Sequence, residues 1–462
     1  MHYSKYTFHA SLSGNGASSA GLVIGNYLTG SMDIMDKKES ELFLHYQESG
    51  SWENYPGITD LLHRRYIFEH EQEERELINE KRQLFLTEYA NTPVQIIFTP
   101  TYVCNMGCSY CYQADYENTS ATLKKDVVDS FFDYINKTFA REKVKPYITL
   151  FGGEPLLGGN EYKTSLLYFL HKAKEFEYEI AMVTNGYELE NYLPCFIENK
   201  FNIKEIQVTL DGIEEIHDKR RPMKTKAGSF DNVTRGINKA LQNGFRINLR
   251  SIIDKDNMAE LYKLAEYAQD RGWLNYPSAR FQTTLGRNYE LHFCQAGTPL
   301  YERSEMWKDF AGEAEKHPVL YKYHSPQFHG MHNLSRTGEL PLPVFDGCPA
   351  GKKEWAFDFK GDIYGCTASV GVEKYRLGNF ISGDRINEEQ VNEWKTRDVF
   401  SIPECSQCAV SLSCGGGCGV LAANKTGKIL SPDCRPVKDL IVTGLRYYNI
   451  QTKELSATGG NI

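Results

Sequence analysis

The sequence predicts an α/β protein: a partial (β/α)6 TIM barrel with a winged-helix-like module before it and a cysteine-rich domain after it. Three observations support this fold class. Six apolar, strand-like segments alternate with helical patterns through the middle of the chain. Ten of the twelve cysteines form two groups, one after the first of these segments and one near the C-terminus. The residues before the first segment show a different pattern, which indicates a separate module.

The N-terminal module is predicted at residues 1–88. Residues 20–36 alternate apolar and polar side chains around Asn26 and Gly30, which is typical of a β-hairpin. Short helical periodicity follows, then a returning strand and a long charged helix. These elements are predicted at 37–46, 58–65, 66–69 and 71–89. Their order suggests a winged-helix-like module. Such a module resembles the element that binds the leader peptides of ribosomally made natural products, and that resemblance implies peptide recognition.

The barrel is predicted at residues 89–285. After a longer first interval, the starts of its strands are spaced by about 26 to 42 residues, the period of β/α units in a parallel sheet. Helical patterns such as 161–175 and 231–243 lie between strands. Six units are fewer than the eight of a closed barrel, so we expect an open one. The predicted strands are 95–99, 147–151, 179–183, 205–210, 247–253 and 279–284.

Three further regions are predicted downstream. Residues 286–347 form an aromatic, His-rich bridging region for which the sequence predicts no structure. Residues 348–440 are rich in Gly and Cys with few long apolar runs, so we expect this domain to depend on metal. Residues 441–462 are predicted as a C-terminal helix and tail.

Composition excludes several classes of protein. No segment approaches the roughly 18 consecutive apolar residues of a membrane span, and the N-terminus lacks the apolar core of a signal peptide. We therefore expect a cytoplasmic protein without a membrane partner. The net charge of −8 disfavours nucleic acid as a partner. In a reducing cytoplasm, twelve cysteines with this spacing indicate metal ligation rather than disulfides.

The first cysteine group has the spacing C-x3-C-x2-C, formed by Cys104, Cys108 and Cys111. Three thiolates leave one iron of a four-iron cluster open to a substrate. The alternative is a zinc site that lacks one ligand, or three unligated thiols. Together with Tyr110, the spacing resembles the signature of the radical S-adenosylmethionine (SAM) superfamily. That resemblance implies that the open iron chelates SAM and that Tyr110 lies near its adenine.

Motifs at the ends of the next strands agree with this resemblance. Gly152, Gly153 and Glu154 resemble the GGEP motif, which meets the methionine amino group of SAM. Thr184 and Asn185 resemble the T-N-G turn of the third strand. The segment from Gln207 to Gly212, followed by His217, Asp218 and Arg221, resembles the peptide-modifying branch. Thr209, Asp211 and Arg250 are candidate SAM contacts, with buried scaffold polar groups as the alternative.

The second cysteine group resembles a SPASM domain at each of its seven cysteines. The resemblance implies two auxiliary [4Fe-4S] clusters, and three with the SAM cluster. The outer cluster would be held by Cys405, Cys408, Cys414 and Cys434, and the inner one by Cys348, Cys366 and Cys418. One inner iron then lacks a motif cysteine. Either Cys294 or another group closes it, or it is open to substrate; Cys195 is expected to be a core cysteine.

These resemblances predict a radical SAM peptide maturase, an oxidoreductase acting on a ribosomally made (RiPP) precursor peptide. It would install a thioether or carbon–carbon cross-link after hydrogen abstraction by a 5′-deoxyadenosyl radical. The expected partners are a precursor with a leader and an electron donor such as flavodoxin or ferredoxin. One alternative is an anaerobic sulfatase-maturating, formylglycine-forming enzyme. Another is a non-catalytic zinc or electron-transfer protein.

Overall fold

The structure is a computed structural model that describes residues 1–12, 21–114, 116, 122–287, 300–383 and 386–450. The chain divides into two compact units. The terminal unit comprises Met1–Ala90, Ser325–Cys348 and Thr396–Ile462. The barrel unit comprises Asn91–His324 and Pro349–Lys395. Across the described ranges, none of the helices combines the length and apolar character that a membrane crossing requires.

The terminal unit begins with the elements predicted for the N-terminal module. The predicted hairpin is confirmed as β3 and β4, and both predicted short helices, the returning strand and the charged helix are present. Two strands were not predicted: β2 pairs antiparallel with β3, and β1 pairs antiparallel with β5. The elements are β1 His2–Tyr3, β2 Thr7–Ser11, β3 Leu22–Asn26, β4 Ser31–Met35, α1 Lys37–Ser49, α2 Ile58–His63, β5 Ile67–Phe68 and α3 Glu71–Ala90.

Local sequence explains where α1 begins and ends. The Asp36 side chain accepts a hydrogen bond from the Glu39 backbone N–H, and Glu39 accepts one from the Asp36 N–H, each at 2.9 Å. Gly50 ends the helix in the left-handed region, with φ of 68°. The helix then buries Phe43 in an aromatic core with Trp52 and Tyr66. Packing of that core holds α1 against the three-stranded sheet.

The barrel unit contains the six predicted parallel strands, in the order β11-β10-β9-β8-β7-β6. Each lies within a few residues of its predicted position, and the predicted helices at 161–175 and 231–243 are present as α5 and α8. The strands are β6 Gln95–Thr99, β7 Tyr147–Leu150, β8 Ile180–Thr184, β9 Ile203–Thr209, β10 Ile247–Ile253 and β11 Phe281–Arg287. The helices are α4 Lys125–Thr138, α5 Asn160–Glu175, α6 Leu189–Glu198, α7 Glu214–Arg220, α8 Phe230–Gln242 and α9 Leu261–Asp270.

The described part of the predicted bridging region, residues 286–287 and 300–347, contains three α-helices. α10 Arg303–Lys316 and α11 Val319–Tyr323 belong to the barrel unit, whereas α12 Met331–Thr337 belongs to the terminal unit. The sequence predicted no structure here, because many of the aromatic side chains pack against distant segments rather than following a helical period. For example, the Tyr323 carbonyl accepts a hydrogen bond from Thr283 Oγ1 at 2.5 Å, across to β11.

Three further strands extend the sheet beyond β6, from residues that the sequence assigned to the cysteine-rich domain. β12 Glu354–Asp358 runs parallel to β6, and β13 Asp362–Tyr364 and β14 Arg376–Asn379 follow antiparallel. Among the residues that the structure describes, the sheet therefore has nine strands. α13 Glu388–Thr396 follows.

The remaining helices lie around the second cysteine group, in the terminal unit. They are α14 Pro403–Ser406, α15 Ser411–Cys414, α16 Gly419–Thr426 and α17 Val437–Tyr447. Arg397 is fully buried among them, and its guanidinium donates to the backbone carbonyls of Gly416, Gly417, Ile429 and Ser431 at 2.8–3.0 Å. One side chain thus fixes several loops that have few apolar residues of their own.

Candidate active site at the carboxyl ends of the parallel strands

The loop after β6 carries the first cysteine group and is held by backbone hydrogen bonds to the segment that follows α7. Gly107 N–H donates to the Pro222 carbonyl at 2.8 Å, and Lys224 N–H donates to the Asn105 carbonyl at 2.9 Å. These bonds fix a loop that would otherwise be irregular at the carboxyl edge of the sheet. The cysteines on it are Cys104, Cys108 and Cys111.

Burial disfavours the thiolate form of two of these cysteines. It raises the pKa of Cys104 to about 12, and the nearby Glu154 carboxylate adds to this increase. Burial also raises the pKa of Cys108, while the Arg221 guanidinium acts in the opposite direction. A thiolate at Cys104 therefore needs a positive charge beside it, which a bound metal supplies.

Glu154 lies at the turn after β7, with its carboxylate buried. One oxygen accepts from Thr184 Oγ1 at 2.6 Å and from Leu156 N–H at 2.8 Å. The other accepts from Asn185 N–H at 2.6 Å. Burial raises the pKa of Glu154 despite these bonds. A buried, oriented carboxylate of this kind suits a cationic ligand group such as an ammonium.

Gly152 and Gly153 let this turn pack against the cysteine loop. A Cβ at Gly153 would collide with the backbone of Tyr102 and Val103, and one at Gly152 would lie 2.5 Å from the Thr99 methyl group. Both contacts are with protein atoms. The glycines therefore allow two loops to approach each other, which positions Glu154 beside Cys104.

The turn after β8 connects Glu154 to the cysteine loop. Asn185 donates from Nδ2 to Asn105 Oδ1 at 2.7 Å, while its own side-chain oxygen accepts from Tyr187 N–H at 2.9 Å. Thr184 and Asn185 therefore hold the Glu154 carboxylate on one side and the cysteine loop on the other. Gly186, with φ of 81°, completes the turn.

Tyr110 joins the cysteine loop to a buried charge network. Its hydroxyl donates to Asp211 Oδ2 at 2.5 Å and accepts from Arg221 Nη1 at 2.5 Å. Asp211 is fully buried, also accepts from Ile252 N–H at 2.9 Å, and pairs with Arg220 at 3.4 Å. The Asp211 side chain therefore does not line the cavity. It holds the Tyr110 hydroxyl from outside the cavity.

The two other motif residues of this segment support its backbone. The buried ring of His217 accepts at Nδ1 from the Asp211 N–H at 3.3 Å, and burial lowers its pKa to about 3, so it is neutral. The Asp218 carboxylate accepts from Phe230 N–H at 3.0 Å, at the start of α8. Both interactions lie away from the cavity.

A cavity of about 320 Å³ opens between these elements. The structure brings together there all but one of the candidate residues of the first cysteine group and the strand motifs; Asp211 is the exception. The lining residues predicted from sequence are Cys104, Cys108, Cys111, Tyr110, Gly152, Gly153, Glu154, Thr184, Asn185, Thr209 and Arg250.

Several other residues also line the cavity. The sequence had not identified them as candidate ligands. Gln207 had a usable signal, because it lies two residues before Thr209 and shares its face of β9. Gln113 and Arg287 gave no such signal. Gln113 lies in the cysteine loop, and Arg287 is the last residue of β11. The full set is Tyr112, Gln113, Phe151, Val183, Gln207, Arg221, Ile252, Arg287, Thr367 and Ala368.

The residues of this cavity fit an iron–sulfur cluster with SAM. Three soft thiol ligands face a buried carboxylate, which suits an ammonium group. Two buried donors on the wall, Gln113 Nε2 and Arg221 Nε, find no hydrogen-bond partner among the described residues. Buried polar groups are almost always paired, so these donors indicate that a ligand with acceptor atoms occupies the cavity.

The second cysteine group brings four thiols together in the terminal unit. Burial raises the pKa of Cys405 to about 12, and the nearby Cys414, Cys408 and Cys434 thiols add to this increase. These four are the cysteines assigned from sequence to an outer cluster. Cys348 interacts electrostatically with Cys418 in the same unit, whereas Cys366 belongs to the barrel unit.

Two cysteines lie outside these groups. Cys195 is a half-buried thiol on α6. Cys294, one candidate for closing the inner cluster, lies outside the described residues.

Comparison with known proteins agrees with the motifs. Residues 98–268 match the family model described as the radical SAM superfamily. The serine-type anaerobic sulfatase-maturating enzyme of Bacteroides thetaiotaomicron is 26% identical over 374 residues, covering 71% of this chain and 82% of that enzyme. A GTP 3′,8-cyclase of Clostridium perfringens is 30% identical over 166 residues, and the match spans 35% of this chain and 48% of that enzyme.

Two solved structures share the fold. Native anSMEcpe with bound AdoMet and Kp18Cys peptide has a TM-score of 0.57 at 18% identity, with 80% of this chain and 100% of that one covered. Streptococcus suis SuiB bound to precursor peptide SuiA has a TM-score of 0.53 at 14% identity, with 94% and 99% covered. At these identities the likeness concerns the fold alone. The chain therefore contains a radical SAM domain, within a fold that it shares with anSMEcpe and SuiB.

Proposed function

We propose that this chain is a radical SAM peptide maturase that cross-links a residue of a ribosomally made precursor peptide. The observation that carries the proposal is the cavity at the carboxyl ends of the strands. There Cys104, Cys108 and Cys111 lie beside the buried Glu154 carboxylate, which suits SAM chelated by the open iron of a cluster. When bound, the reduced cluster and SAM supply reductive cleavage that yields a 5′-deoxyadenosyl radical.

Each residue of the wall has a proposed part. Glu154 binds the amino group of SAM, oriented by Thr184 and the Asn185 backbone. Tyr110 lies against the adenine, with Asp211 holding its hydroxyl. Gly152, Gly153, Asn185, Thr209 and Arg250 complete the proposed SAM site.

Two auxiliary [4Fe-4S] clusters belong to the proposal, which makes three in all. The four thiols around Cys405 support the outer one. The inner one is proposed on Cys348, Cys366 and Cys418 from the seven-cysteine pattern. Its fourth iron is either open to substrate or closed by Cys294 or another group.

The proposed partners follow from this chemistry. Generating the radical consumes an electron, so a donor such as flavodoxin or ferredoxin in the cytoplasm would serve the enzyme. The proposed substrate is a precursor peptide whose leader is recognised by residues 1–88. The solved structures of anSMEcpe and SuiB include complexes with bound peptides, which supports a peptide substrate.

The second candidate is an anaerobic sulfatase-maturating enzyme. The 26% identity to the Bacteroides thetaiotaomicron enzyme over 374 residues favours it. Two features favour the cross-linking maturase instead. This chain has no cysteine between Cys348 and Cys366 to complete the inner cluster, and it carries the N-terminal module.

An anaerobic assay separates these candidates. The purified enzyme is incubated with reductant, SAM and peptides encoded by small open reading frames next to its gene. A cross-linked product, with two hydrogens lost and no aldehyde that reacts with a hydrazide, supports the maturase. A hydrazide-reactive product from a sulfatase-type Cys or Ser peptide supports the second candidate. A colourless zinc protein without SAM cleavage contradicts both.

A further inference from the structure

Arg221 is a buried guanidinium on the wall that holds the cysteines. It is only 8% exposed and lines the same cavity as Cys104, Cys108 and Cys111. Its Nη1 donates to the Tyr110 hydroxyl at 2.5 Å. Its Nε–H has no hydrogen-bond partner within the described part of the chain. A buried donor without an acceptor is destabilising, so an acceptor is expected when the site is complete.

The backbone keeps Arg221 beside the cysteine loop. Its N–H donates to the His217 carbonyl at 2.8 Å, in the last turn of α7. The residues on both sides of it accept from the cysteine loop: the Pro222 carbonyl from Gly107 at 2.8 Å and the Arg220 carbonyl from Ser109 at 3.3 Å. Arg221 cannot move away from Cys108 without breaking this connection.

The charge of Arg221 is stable and interacts with a cysteine. Burial disfavours the guanidinium cation, but Cys108, Tyr110 and Asp211 together hold the pKa of Arg221 well above its ordinary value. Arg221 and Cys108 line the same cavity, and the loop that carries Cys108 is hydrogen-bonded to the backbone on both sides of Arg221. Asp211 already pairs with Arg220 at 3.4 Å, so it does not fully neutralise Arg221.

We propose that Arg221 sets the reduction potential of the cluster held by Cys104, Cys108 and Cys111, through a fixed positive charge and an unpaired Nε–H donor on the wall of the same cavity. This inference rests on the proposed assignment of that cluster. A nearby cation, and a hydrogen bond to a cluster sulfur, stabilise the reduced state and raise its potential. Arg221 is a positioning residue, since it acts through the cluster rather than on the peptide.

The test is a redox titration of the intact enzyme without SAM, followed by electron paramagnetic resonance. The SAM-cluster signal is identified by its absence from the variant in which Cys104, Cys108 and Cys111 are all Ala. Arg221→Gln removes the charge, Arg221→Lys keeps it, and Arg235→Gln removes an exposed arginine charge on α8, outside the cavity. We expect a lower midpoint potential in Arg221→Gln only, and near-wild-type potentials in the other two.

Other outcomes contradict the inference. An unchanged potential in Arg221→Gln with weakened SAM binding would make Arg221 a SAM ligand instead. If Arg221→Gln fails to assemble the cluster, Arg221→Lys is the deciding variant. Normal iron content and potential in Arg221→Lys support the role of the charge. Loss of iron in Arg221→Lys means that Arg221 has a structural role and contradicts the proposal. Retained SAM cleavage in the triple cysteine variant would instead refute the cluster assignment itself, independently of Arg221.

Discussion

Glu154 shows how much of a site depends on a single side chain. Its carboxylate accepts three hydrogen bonds from two neighbouring turns and still faces the cavity beside the cysteines. Burial raises its pKa, which means that the surroundings do not fully replace the water it has lost. A cationic ligand would compensate for the remaining cost, so Glu154 is well suited to select a ligand with an amino group.

We predict that Glu154→Gln weakens SAM binding roughly 10- to 100-fold, because it removes a charge-assisted hydrogen bond. The substitution also places an NH2 group opposite the Asn185 N–H, where an acceptor was. Anaerobic equilibrium dialysis with labelled SAM measures the change. Thr184→Val, which removes only one donor to Glu154, serves as a milder control. Equal SAM affinity in wild type and Glu154→Gln would mean that the amino group binds elsewhere.

Replacing Cys104, Cys108 and Cys111 together with Ala should abolish reductive SAM cleavage. Roughly eight irons should remain, because the auxiliary ligands lie in other segments of the chain. Iron analysis and chromatography for 5′-deoxyadenosine give the two readouts. The prediction fails if the triple variant still forms 5′-deoxyadenosine.

At the residue scale, motif spacing predicted the cavity lining well where each motif ends a strand. Motif spacing could not predict the direction in which a polar side chain points. Asp211 belongs to the same motif as Thr209, yet it turns inward to Tyr110 while Thr209 lines the cavity. Gln113 lines the cavity only because of the path of its loop, which no local pattern encodes.

At the scale of elements, the strands of the repeating β/α units were predictable, and strands that depend on a distant partner were not. β10, at 247–253, was predicted at its observed bounds, because four of its seven residues are Ile or Leu, which favour a strand. β12 is five residues long and depends on pairing with β6, about 260 positions earlier in the chain. Such distant partners leave no trace in local periodicity.

The turn after β7 depends on close packing against the cysteine loop. We predict that Gly153→Ala lowers the iron content of the first cysteine group, because the added Cβ would clash with the backbone of Tyr102 and Val103. Gly107→Ala is the matched control, since a Cβ there meets nothing within 4 Å. Iron content and far-UV circular dichroism are compared for both. Normal iron in Gly153→Ala would show that the loop can shift without losing its ligands.

Asp358 at the end of β12 gives a prediction about pH. Its carboxylate accepts from the Tyr102 hydroxyl at 2.7 Å and from two backbone N–H groups. Burial raises its pKa from 3.8 to about 6. Between these values the folded protein holds a proton that the unfolded chain releases, so stability falls as pH rises through this range.

Asp358→Asn should therefore flatten the pH dependence of stability between about pH 4 and pH 6, while its side-chain oxygen still accepts from the backbone. Asp358→Ala should lower stability at every pH, because it loses those bonds too. Thermal unfolding of the iron-loaded protein under anaerobic conditions measures both. A wild-type slope in Asp358→Asn would assign the pH dependence to another group.

At the scale of the whole molecule, residues 1–90 share a compact unit with later segments. Within that unit the Tyr27 hydroxyl donates to the His329 carbonyl at 2.7 Å, and Arg82 pairs with Asp398 at 3.3 Å. Neither contact was predictable, since each joins residues about 300 positions apart. Removing the N-terminal module would also take away these partners, so a point substitution is the better test of leader recognition.

The terminal unit offers one place for a leader to add a strand. A groove of about 450 Å³ runs along β2, one of the two edge strands of the order β2-β3-β4, and is closed by α17. Its lining residues include His9, Leu22 and Leu44 on one side and Val442 on α17. Strand addition supplies main-chain hydrogen bonds, and the apolar residues would take alternate leader side chains.

We predict that Val442→Arg fills this groove and raises KM for a leader-bearing precursor at least several-fold. SAM cleavage without peptide should be unchanged, because the cysteines of the first group lie in the barrel unit. The matched control is Leu86→Arg on α3, an exposed leucine (45%) outside the groove. Steady-state kinetics with full-length and leaderless peptides separates binding from chemistry.

If Val442→Arg processes the full-length precursor as well as Leu86→Arg does, the leader binds elsewhere. If wild type handles both peptides equally, leader recognition itself is refuted.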